Sequence, residues 1–473
     1  MKCCRRRAVF VCWTLFLSGC ASVDLRSGFF DVSSSVQERL AVPVFWNNGT
    51  DLDREASDRL KKLLSDKITA DEAVQVALLN NRELQAVYSE LGVAQADLVQ
   101  AGLLSNPIFN AAIKFPTSGG SSPDLELGAA MNFLNIFYIP LRKRVATARF
   151  EEAKTRLTGA VLDFAGRVRR AFYAYEADEQ MLDLRQTVVQ ALSASFDIAG
   201  RLYQAGNISD LDLFSQRAQL EAGRLALRAA EISVRQGREE LNSLMGLWGA
   251  DVDWQSTERL PDIPKRSLET KDIERLVIER SLDLAQARQR IIGTGEELGL
   301  TRWTTLLPDF SAGPHSERND GAWEAGPKLD FLIPLFDQGQ ARVGRTAAEL
   351  RRFQQEYHGL AVRLRARARQ ARDRLEGASD RAMYYRDILL PLHERIVNEA
   401  QLQYNAMQLG PLQLIRAREQ QIETGVSYIA TLRDYWLARA ELEQMLTGSL
   451  AGPTMQPSAR AASPSGRSVS EGH

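Results

Sequence analysis

Few side chains in this sequence stand in patterns that could do chemistry. The four histidines are scattered and share no metal-ligand spacing; they are His315, His358, His393 and His473. The P-loop, GxSxG and HExxH patterns of phosphate binding, serine hydrolysis and zinc proteolysis are absent from the sequence. We therefore predict no catalytic site, no metal site and no cofactor, and we expect that the protein is not an enzyme.

Cys20 is the side chain with the clearest predicted chemistry. A basic stretch, Lys2 to Arg7, precedes the apolar stretch Ala8 to Leu17, which is too short for a stable membrane span. The next residues, Ser18-Gly19-Cys20 after Leu17, resemble a bacterial lipobox. Residues 1–19 are thus predicted to be a signal peptide, with lipid attached to Cys20. The alternative is a plain signal peptide in which this cysteine falls by chance.

The other cysteines and the following residue support export to the outer membrane. Ala21 follows the cysteine, whereas aspartate there favours retention at the inner membrane of Gram-negative bacteria. The remaining cysteines, Cys3, Cys4 and Cys12, leave with the signal, so the mature chain has no free thiol and no disulfide. Its stability must come from packing.

One arginine-rich stretch, RLRARARQAR at Arg363 to Arg372, raises the question of nucleic acid. Its arginines alternate along the sequence and would scatter around a helix. The formal net charge of the whole chain is only −1, and it becomes −5 without the signal. We predict a solvated or ion-paired helix surface and no nucleic-acid partner.

The elements that organise the chain occur twice. Residues 68–247 align with residues 268–448 at an offset of about 200. Tyr203 and Tyr404 stand 201 positions apart, and helical apolar spacing before Pro107 recurs before Pro308. The sequence therefore predicts one structural plan in two copies.

Each copy contains a stretch of alternating apolar and polar residues. Apolar side chains at odd positions of 109–115 and 125–133 alternate with polar or small ones, which predicts a β-hairpin with one apolar face. A second hairpin is predicted from Pro308, with a polar turn at Arg318 to Gly321. Pro314 and Pro327 weaken that second prediction, because proline cannot donate a ladder hydrogen bond.

Long helices follow each hairpin. Apolar residues seven apart, such as Val168 to Tyr203 and Leu213 to Trp248, predict a coiled-coil seam. One helix over about 139–203 would be ~98 Å long, and two shorter helices, 70–104 and 210–247, would together match it. Connecting segments would then meet at mid-height, where Trp46, Trp248 and Trp254 are suited to an irregular packed belt.

The predicted organisation has six parts. They are a signal peptide at 1–19, a lipid-anchored segment with equatorial packing at 20–69, a first repeat at 70–247 with hairpin 106–134 and tip 203–210, an equatorial connection at 248–270, a second repeat at 271–447 with hairpin 308–333 and tip 404–411, and a disordered tail at 448–473.

The strands have the length of transmembrane β-strands, ~9–11 residues. Strands in lipid must close into a barrel, and the smallest such barrels have ~8 strands, so four strands per chain require partners. Three copies supply twelve strands. The fold class is therefore predicted to be mainly α, with coiled-coil hairpins forming a periplasmic α-barrel and four strands contributing to a trimeric twelve-stranded transmembrane β-barrel. The alternative is that the hairpins cap a soluble helical protein.

Over residues 60–447 the chain resembles the TolC-type outer-membrane factor family. The resemblance rests on the order of the duplicated segments, including PLRKRVATA at Pro140, PLFDQGQARV at Pro334 and the terminal stretch Ser427 to Gly448. It implies a homotrimer with an outer-membrane barrel and a periplasmic helical tunnel. It also implies a periplasmic adaptor and an inner-membrane pump, or a type I secretion machine, as partners.

The resemblance further implies that the two tips dock the adaptor and carry a gate. The contact residues would be Tyr203, Gly206, Leu211, Tyr404, Gly410 and Leu412, and the pore gate would include Asp212, Gln413 and Arg416. A ring of Asp212 carboxylates would attract cations; the alternative is an acid that favours a helix start. Met407 stands where the family commonly has glycine, so the second tip departs from the pattern, and Arg416 has the option of pairing with Asp212.

The predicted function is a passive, gated outer-membrane exit duct for small molecules or exported cargo. Because a passive tunnel has little substrate chemistry, cargo selection is expected in the pump. The alternative is a lipid-anchored periplasmic coiled-coil protein, structural or adaptor-like, without a pore.

Overall fold

The computed structural model describes most of the chain between Val23 and Ser449. The described residues are 23–24, 26–47, 49, 51–115, 123–256, 259–264, 272–306, 310–319 and 322–449. Cys20, the first hairpin turn, Pro308 and nearly all of the predicted tail lie outside these ranges, so the predictions made for them remain predictions.

Long helices make up most of the described chain, as the predicted fold class requires. The helices are α1 (Phe29–Leu40), α2 (Asp51–Ser65), α3 (Ala70–Asn80), α4 (Arg82–Gly102), α5 (Leu134–Gln204), α6 (Asp210–Met245), α7 (Ile273–Arg280), α8 (Leu282–Leu306), α9 (Gln340–Tyr384), α10 (Leu390–Asn405) and α11 (Pro411–Thr447). The strands are β1 (Lys67–Ile68), β2 (Ile108–Lys114), β3 (Asp124–Asn132), β4 (Gln255–Ser256), β5 (Phe310–Asn319) and β6 (Ala322–Phe331).

The two copies of the plan are visible in this order. Helices α3 and α4, the hairpin β2–β3, the long α5 and its return helix α6 correspond to α7 and α8, the hairpin β5–β6, the α9–α10 pair and α11. Part of the predicted seam of the first copy is buried, since Val168 and Leu241 have no exposed surface, whereas its end residues Tyr203 and Trp248 are exposed. The coiled-coil hairpins therefore exist in both halves of the chain.

The single helix predicted over 70–104 is wrong, because the chain breaks at Asn81. The Asn81 backbone is extended, and its side-chain oxygen accepts a hydrogen bond from the amide of Leu84 at 2.9 Å. Ser281, 200 positions later, caps α8 in the same way through the amide of Leu284 at 3.2 Å. A polar cap therefore starts a new helix at the same place in each copy.

The start of the long helix was also predicted wrongly. It was predicted at about residue 139, whereas α5 begins at Leu134 and contains Pro140. The side chain of Asn132 accepts hydrogen bonds from the amides of Leu134 and Asn135 at 3.1 and 3.4 Å. This cap starts the helix directly at the end of β3, and Pro140 lies within the second turn.

The four long strands form one antiparallel sheet in the order β2-β3-β5-β6. Both prolines are accommodated: Pro314 lies opposite Pro327, and the β3–β5 pairing skips Gly313 and Pro314, between the pairs Gly128–His315 and Met131–Ala312. The polar turn predicted from Arg318 is too long, since the strand continues to Asn319, which pairs with Ala322.

The second long helix differs from the first, because a π-helical turn at Tyr385–Leu389 separates α9 from α10. Pro391 follows it and has no N–H for the carbonyl of Asp387, its normal partner four residues earlier. A widened turn is a common response to such a mismatch.

The packed belt at mid-height contains two of the three predicted tryptophans. Trp254 is 2% exposed, packs against Tyr175 at 5.3 Å between ring centres, and donates a hydrogen bond from Nε1 to Asn242. Trp46 packs against Phe29. The expectation for Trp248 was wrong, because its side chain is 83% exposed next to a short 3₁₀ turn.

The arginine-rich stretch is an ion-paired helix surface, as expected. Arg369 contacts Glu274 of α7 at 2.8 Å, and Arg372 contacts Asp373 at 2.7 Å. Leu364 and Ala368 on the other side of α9 are buried.

Candidate functional site

The sheet has one apolar and one polar face, which follows directly from its register. The pairs Ala111–Leu127, Leu127–Ser316 and Ser316–Ala325 place odd positions of β2, β3 and β6 on the same face as even positions of β5. That face carries Phe109, Ala111, Ile113, Leu125, Leu127, Ala129, Met131, Phe310, Ala312, Pro314, Ser316, Arg318, Trp323, Ala325, Pro327, Leu329 and Phe331.

The opposite face is charged. It carries five carboxylates against two lysines, a net charge of −3 with neutral histidine; these residues are Asp124, Glu126, Glu317, Glu324 and Asp330 with Lys114 and Lys328. Lys114 bridges Glu126 at 3.1 Å and Glu317 at 3.7 Å, and His315 lies 3.7 Å from Glu126. The sequence alternation predicted this polar face, but not the cross-strand ion pairs.

Among the residues that the structure describes, the two outer strands of the sheet, β2 and β6, each pair on one side alone. Every residue of the two strands is exposed, including Phe109 and Phe331. An open edge next to a broad apolar face is a surface that natural proteins cover or pair.

The first tip, between α5 and α6, is a tight turn closed by backbone hydrogen bonds. The amide of Gly206 donates to the carbonyl of Tyr203 at 2.9 Å, and that of Asn207 to Leu202 at 2.8 Å. Gly206 has φ 70°, a left-handed conformation in which glycine is favoured.

Asp212 lies at the start of α6 and forms a reciprocal cap with Ser209. Its amide donates to Ser209 Oγ at 3.2 Å, and its carboxylate accepts from the Ser209 amide at 3.2 Å and hydroxyl at 2.7 Å. These bonds, assisted by the positive charge of Arg416, lower the pKa of Asp212. Asp212 therefore caps the start of α6, as the alternative prediction for this residue stated. The positive charge of Arg416 stabilises the Asp212 carboxylate.

The remaining predicted residues of the first tip face outward. Tyr203 is 40% exposed and Leu211 is 78% exposed. Hydrogen bonding to Asp210 and the charge of that carboxylate raise the pKa of Tyr203. Asp210 was missed in the sequence, although its position beside a repeated tyrosine and a helix start could have indicated it.

The second tip, between α10 and α11, repeats the same turn with other residues. The amide of Met407 donates to Tyr404 at 3.0 Å, and that of Gln408 to Gln403 at 2.9 Å. Met407 has φ 57° and thus takes the left-handed conformation of Gly206. At the start of α11 the side chain of Gln413 accepts from the Gly410 amide at 3.2 Å, which matches the Asp212 bond without its charge.

Tyr404 is 39% exposed, close to its counterpart in the first tip. Leu412 is in the first turn of α11. The structure therefore brings the predicted contact residues to two similar turns, and their roles remain to be tested.

A contact between Gln219 and Glu419 shows that the two tips lie side by side. Gln219 Nε2 is 3.5 Å from Glu419 Oε2, nine residues after the start of α6 and eight after the start of α11. Burial raises the pKa of Glu419, and the charge of Arg416 opposes that shift. This link was missed, since its two residues are ordinary polar helix residues in sequence.

Apolar side chains remain exposed along both coiled coils above the tips. On α6 they include Leu211, Phe214, Leu225 and Ile232; on the second hairpin they include Tyr384, Ile388, Leu392, Ile396 and Leu402. Leu225 lies ~22 Å above the start of α6 and Leu392 ~20 Å above the end of α10, so the two stripes span the same height.

Two properties of the described ranges concern membrane crossing and metal binding. None of the helices in these ranges is both long enough and apolar enough to cross a membrane. No group of three or more His, Cys, Asp and Glu side chains within those ranges is arranged to hold a metal ion.

Comparison with known proteins gives consistent results. Residues 73–247 match the family model of outer membrane efflux proteins. The chain is 22% identical over 445 residues to the cobalt-zinc-cadmium resistance protein CzcC of Cupriavidus metallidurans, covering 91% of this chain and 99% of that protein.

Solved structures share the fold. The outer membrane protein VceC of Vibrio cholerae superposes with a TM-score of 0.66 at 15% identity, covering 80% of this chain and 96% of VceC. The open state of the MtrE outer membrane channel of Neisseria gonorrhoeae gives 0.66 at 15% identity, covering 83% of this chain and 89% of MtrE. At such identities the likeness establishes the fold alone.

Proposed function

The chain belongs to the outer membrane efflux protein family of the TolC type, and from that premise we propose that three copies assemble into one gated exit duct. Each copy is an outer-membrane efflux channel protein with a large periplasmic helical portion. The observation that carries the assembly is the amphipathic sheet with two open edges. Four strands cannot close in lipid, whereas twelve can.

In this assembly β6 of one copy pairs with β2 of the next. Closure in this way leaves no backbone edge in the membrane and turns the apolar face toward acyl chains. The charged face then lines the lumen. The pore-free alternative, a lipid-anchored coiled coil, gives no reason for a continuous apolar face beside two unpaired edges.

The helical portion closes by the same logic. The exposed apolar stripes of α6 and of the second hairpin span the same height, and in a trimer the stripe of one copy can cover the stripe of its neighbour. Each exposed leucine or isoleucine buried in this way contributes about 1.5–3 kcal/mol. The result is a hollow tube with six tips at its periplasmic end.

We also propose that Cys20 carries lipid and anchors the chain to the outer membrane, on the strength of its lipobox-like sequence. A Cys20→Ser variant cannot be acylated at this position. It would therefore either retain the uncleaved signal peptide or be lighter than the wild type by the mass of the acyl groups. Intact-mass spectrometry of the membrane-extracted protein distinguishes the two forms from the unmodified mature chain.

The partners of the proposed duct are a periplasmic adaptor, docked at the tips, and an inner-membrane pump that supplies energy. The duct itself is passive, and cargo leaves by diffusion when the tips move apart. An exported protein from a type I secretion machine is the second cargo class that such a duct could accept.

Among small-molecule cargoes, the structure and the similarity to CzcC favour divalent metal cations. CzcC is a cobalt-zinc-cadmium resistance protein and matches this chain over nearly its whole length. The net charge of −3 on the polar face of the sheet becomes about −9 in a trimer, a field that concentrates cations. In this account metal ions pass through the lumen without a fixed binding site.

The lumen charge leads to a prediction with two opposite signs. Glu126→Gln with Glu317→Gln removes two carboxylates per chain and should lower the cation-to-anion permeability ratio several-fold. Lys114→Gln should raise the ratio, since it removes a cation from the same cluster. Reversal potentials in asymmetric KCl measure both, and equal ratios in all three proteins would place the polar face outside the pore.

The gate is proposed to lie at the tips, where Asp212 caps α6. Asp212→Ala removes the cap and the charge, whereas Asp212→Asn removes the charge and leaves an acceptor for the Ser209 amide. We expect both variants to change closed-state leak and block by calcium, and only the alanine variant to speed amide exchange at the start of α6. Identical calcium titrations of conductance in wild type and both variants would exclude a gating role.

The pH dependence of this cap follows from its lowered pKa. A carboxylate with a folded pKa below its unfolded value stabilises the folded tip at neutral pH, and the contribution disappears as the pH falls below about 4.

The experiment that tests the function combines conductance with export. The purified protein should form ion-conducting pores in planar bilayers, and cells lacking it should become sensitive to cobalt, zinc or cadmium. If cells lacking the protein become sensitive to organic toxicants alone, the proposed duct stands, and its cargo is organic molecules instead of metal cations. A protein that never conducts, in cells whose resistance does not change, would contradict the proposal.

A further inference from the structure

Met407 occupies in the second tip the place that Gly206 occupies in the first. Both have a left-handed backbone, with φ of 57° and 70°. The closing hydrogen bonds also match, at 3.0 Å from Met407 to Tyr404 and 2.9 Å from Gly206 to Tyr203. Because glycine supports the same turn in the first tip, the turn needs no side chain at this position. The left-handed backbone disfavours any residue other than glycine there.

Packing within the chain does not offset this disfavoured conformation. The side chain of Met407 is 95% exposed, more than any other large apolar side chain among the described residues. A left-handed backbone at a residue whose side chain is almost fully exposed indicates a role outside the fold.

Residues 402–415, which include Met407, contain no charged side chain, in contrast to the first tip. Gln408 follows it, and Gln413 takes the capping place that Asp212 holds in the first tip. The first tip presents the carboxylates of Asp210 and Asp212. A partner that contacts the second tip thus meets an apolar, flexible side chain in a neutral setting.

We propose that Met407 is an apolar anchor that the second tip inserts into the adaptor. The matching surface is an apolar pocket on the adaptor, since methionine is flexible and adapts to irregular apolar grooves. The inference rests on the proposed function, because it assigns chemistry to the docking end of the duct. The two tips of one chain then bind different surfaces of the adaptor. The second tip binds an apolar surface, and the first tip binds a surface that can pair with carboxylates.

The test compares variants whose effects on the turn and on docking have opposite signs. Met407→Gly removes the anchor and relaxes the backbone, so amide exchange at residues 407–408 should slow while the adaptor Kd rises about tenfold or more. Met407→Leu keeps an apolar side chain and should stay within about threefold of wild type. Asp272→Gly relaxes another left-handed residue, with φ 59°, at the start of α7 and away from both tips, and it serves as the matched control with a nearly unchanged Kd.

The probe is the full-length trimer in nanodiscs, titrated with the purified adaptor that restores efflux when expressed with this chain. An unchanged Kd for Met407→Gly, with the wild-type trimer binding the adaptor, overturns this inference alone. A wild-type protein that is not trimeric, or that binds no adaptor, overturns the proposed function as well. If relaxing a left-handed residue were itself the cause, the Kd of Asp272→Gly would rise as much as that of Met407→Gly, and this result also contradicts the inference.

Discussion

Replacing Ala325 with arginine is expected to keep the protein out of the outer membrane. Ala325 lies on the apolar face of β6, within two residues of the middle of the strand. An arginine at the midplane of a barrel costs about 2–4 kcal/mol on the lipid side, and a trimer carries three copies. The measurement is the fraction of chain recovered as a heat-resistant trimer from outer membranes.

The neighbouring residue provides the matched control. Glu324 is on the polar face of the same strand, so Glu324→Arg should assemble normally and reduce cation preference. Both positions are exposed in the isolated chain, and a soluble coiled coil would tolerate both changes equally. Equal assembly of the two variants would contradict the assignment of the apolar face to lipid.

Gly313→Ala is expected to separate the two hairpins of the sheet. A Cβ at Gly313 would overlap the backbone carbonyl of Ala129, and backbone atoms on a paired strand cannot move aside cheaply. The β3–β5 pairing that joins the two copies of the plan would be lost or shifted. We expect loss of most pores per unit of protein in planar bilayers, with the helical circular dichroism retained.

Gly326 lies on the neighbouring strand and is the control for this change. A Cβ at Gly326 would meet no atom within 4 Å, so Gly326→Ala should leave conductance near the wild-type value. Wild-type activity of Gly313→Ala would show that the two hairpins do not share one sheet in the membrane.

The parts of the fold that sequence reasoning predicted correctly depend on long periodic signals. The seven-residue spacing from Val168 to Tyr203 and the alternation over 109–115 and 125–133 each involve many residues, so single exceptions do not hide them. The repeat strengthened both, because each copy tested the other. The same signals indicated which face of the sheet is polar.

The errors concern single polar contacts, which leave little trace in a sequence. Nothing in the pattern shows that Asn81 and Ser281 cap new helices, or that Asn132 starts α5 before Pro140. The break in the second long helix at Tyr385–Leu389 depends on how the chain accommodates Pro391. Helix propensity favours continuous helices at these places, but side-chain hydrogen bonds to backbone amides start new helices there.

At the tips, the sequence located the turns but not their chemistry. The repeated tyrosines and leucines, 201 residues apart, predicted where the turns lie. The left-handed backbone of Met407 and the reciprocal cap of Asp212 are visible only in the structure. The Gln219–Glu419 contact joins residues far apart in the chain, and no local pattern predicts it.

Native mass spectrometry of the protein extracted from outer membranes in mild detergent shows directly whether three copies close one channel. We expect a mass of three mature chains that persists when the lipid at Cys20 is removed, because the strands of the three copies complete one barrel. A monomer that leaves the membrane once the lipid is removed would contradict it and would identify an anchored periplasmic coiled coil.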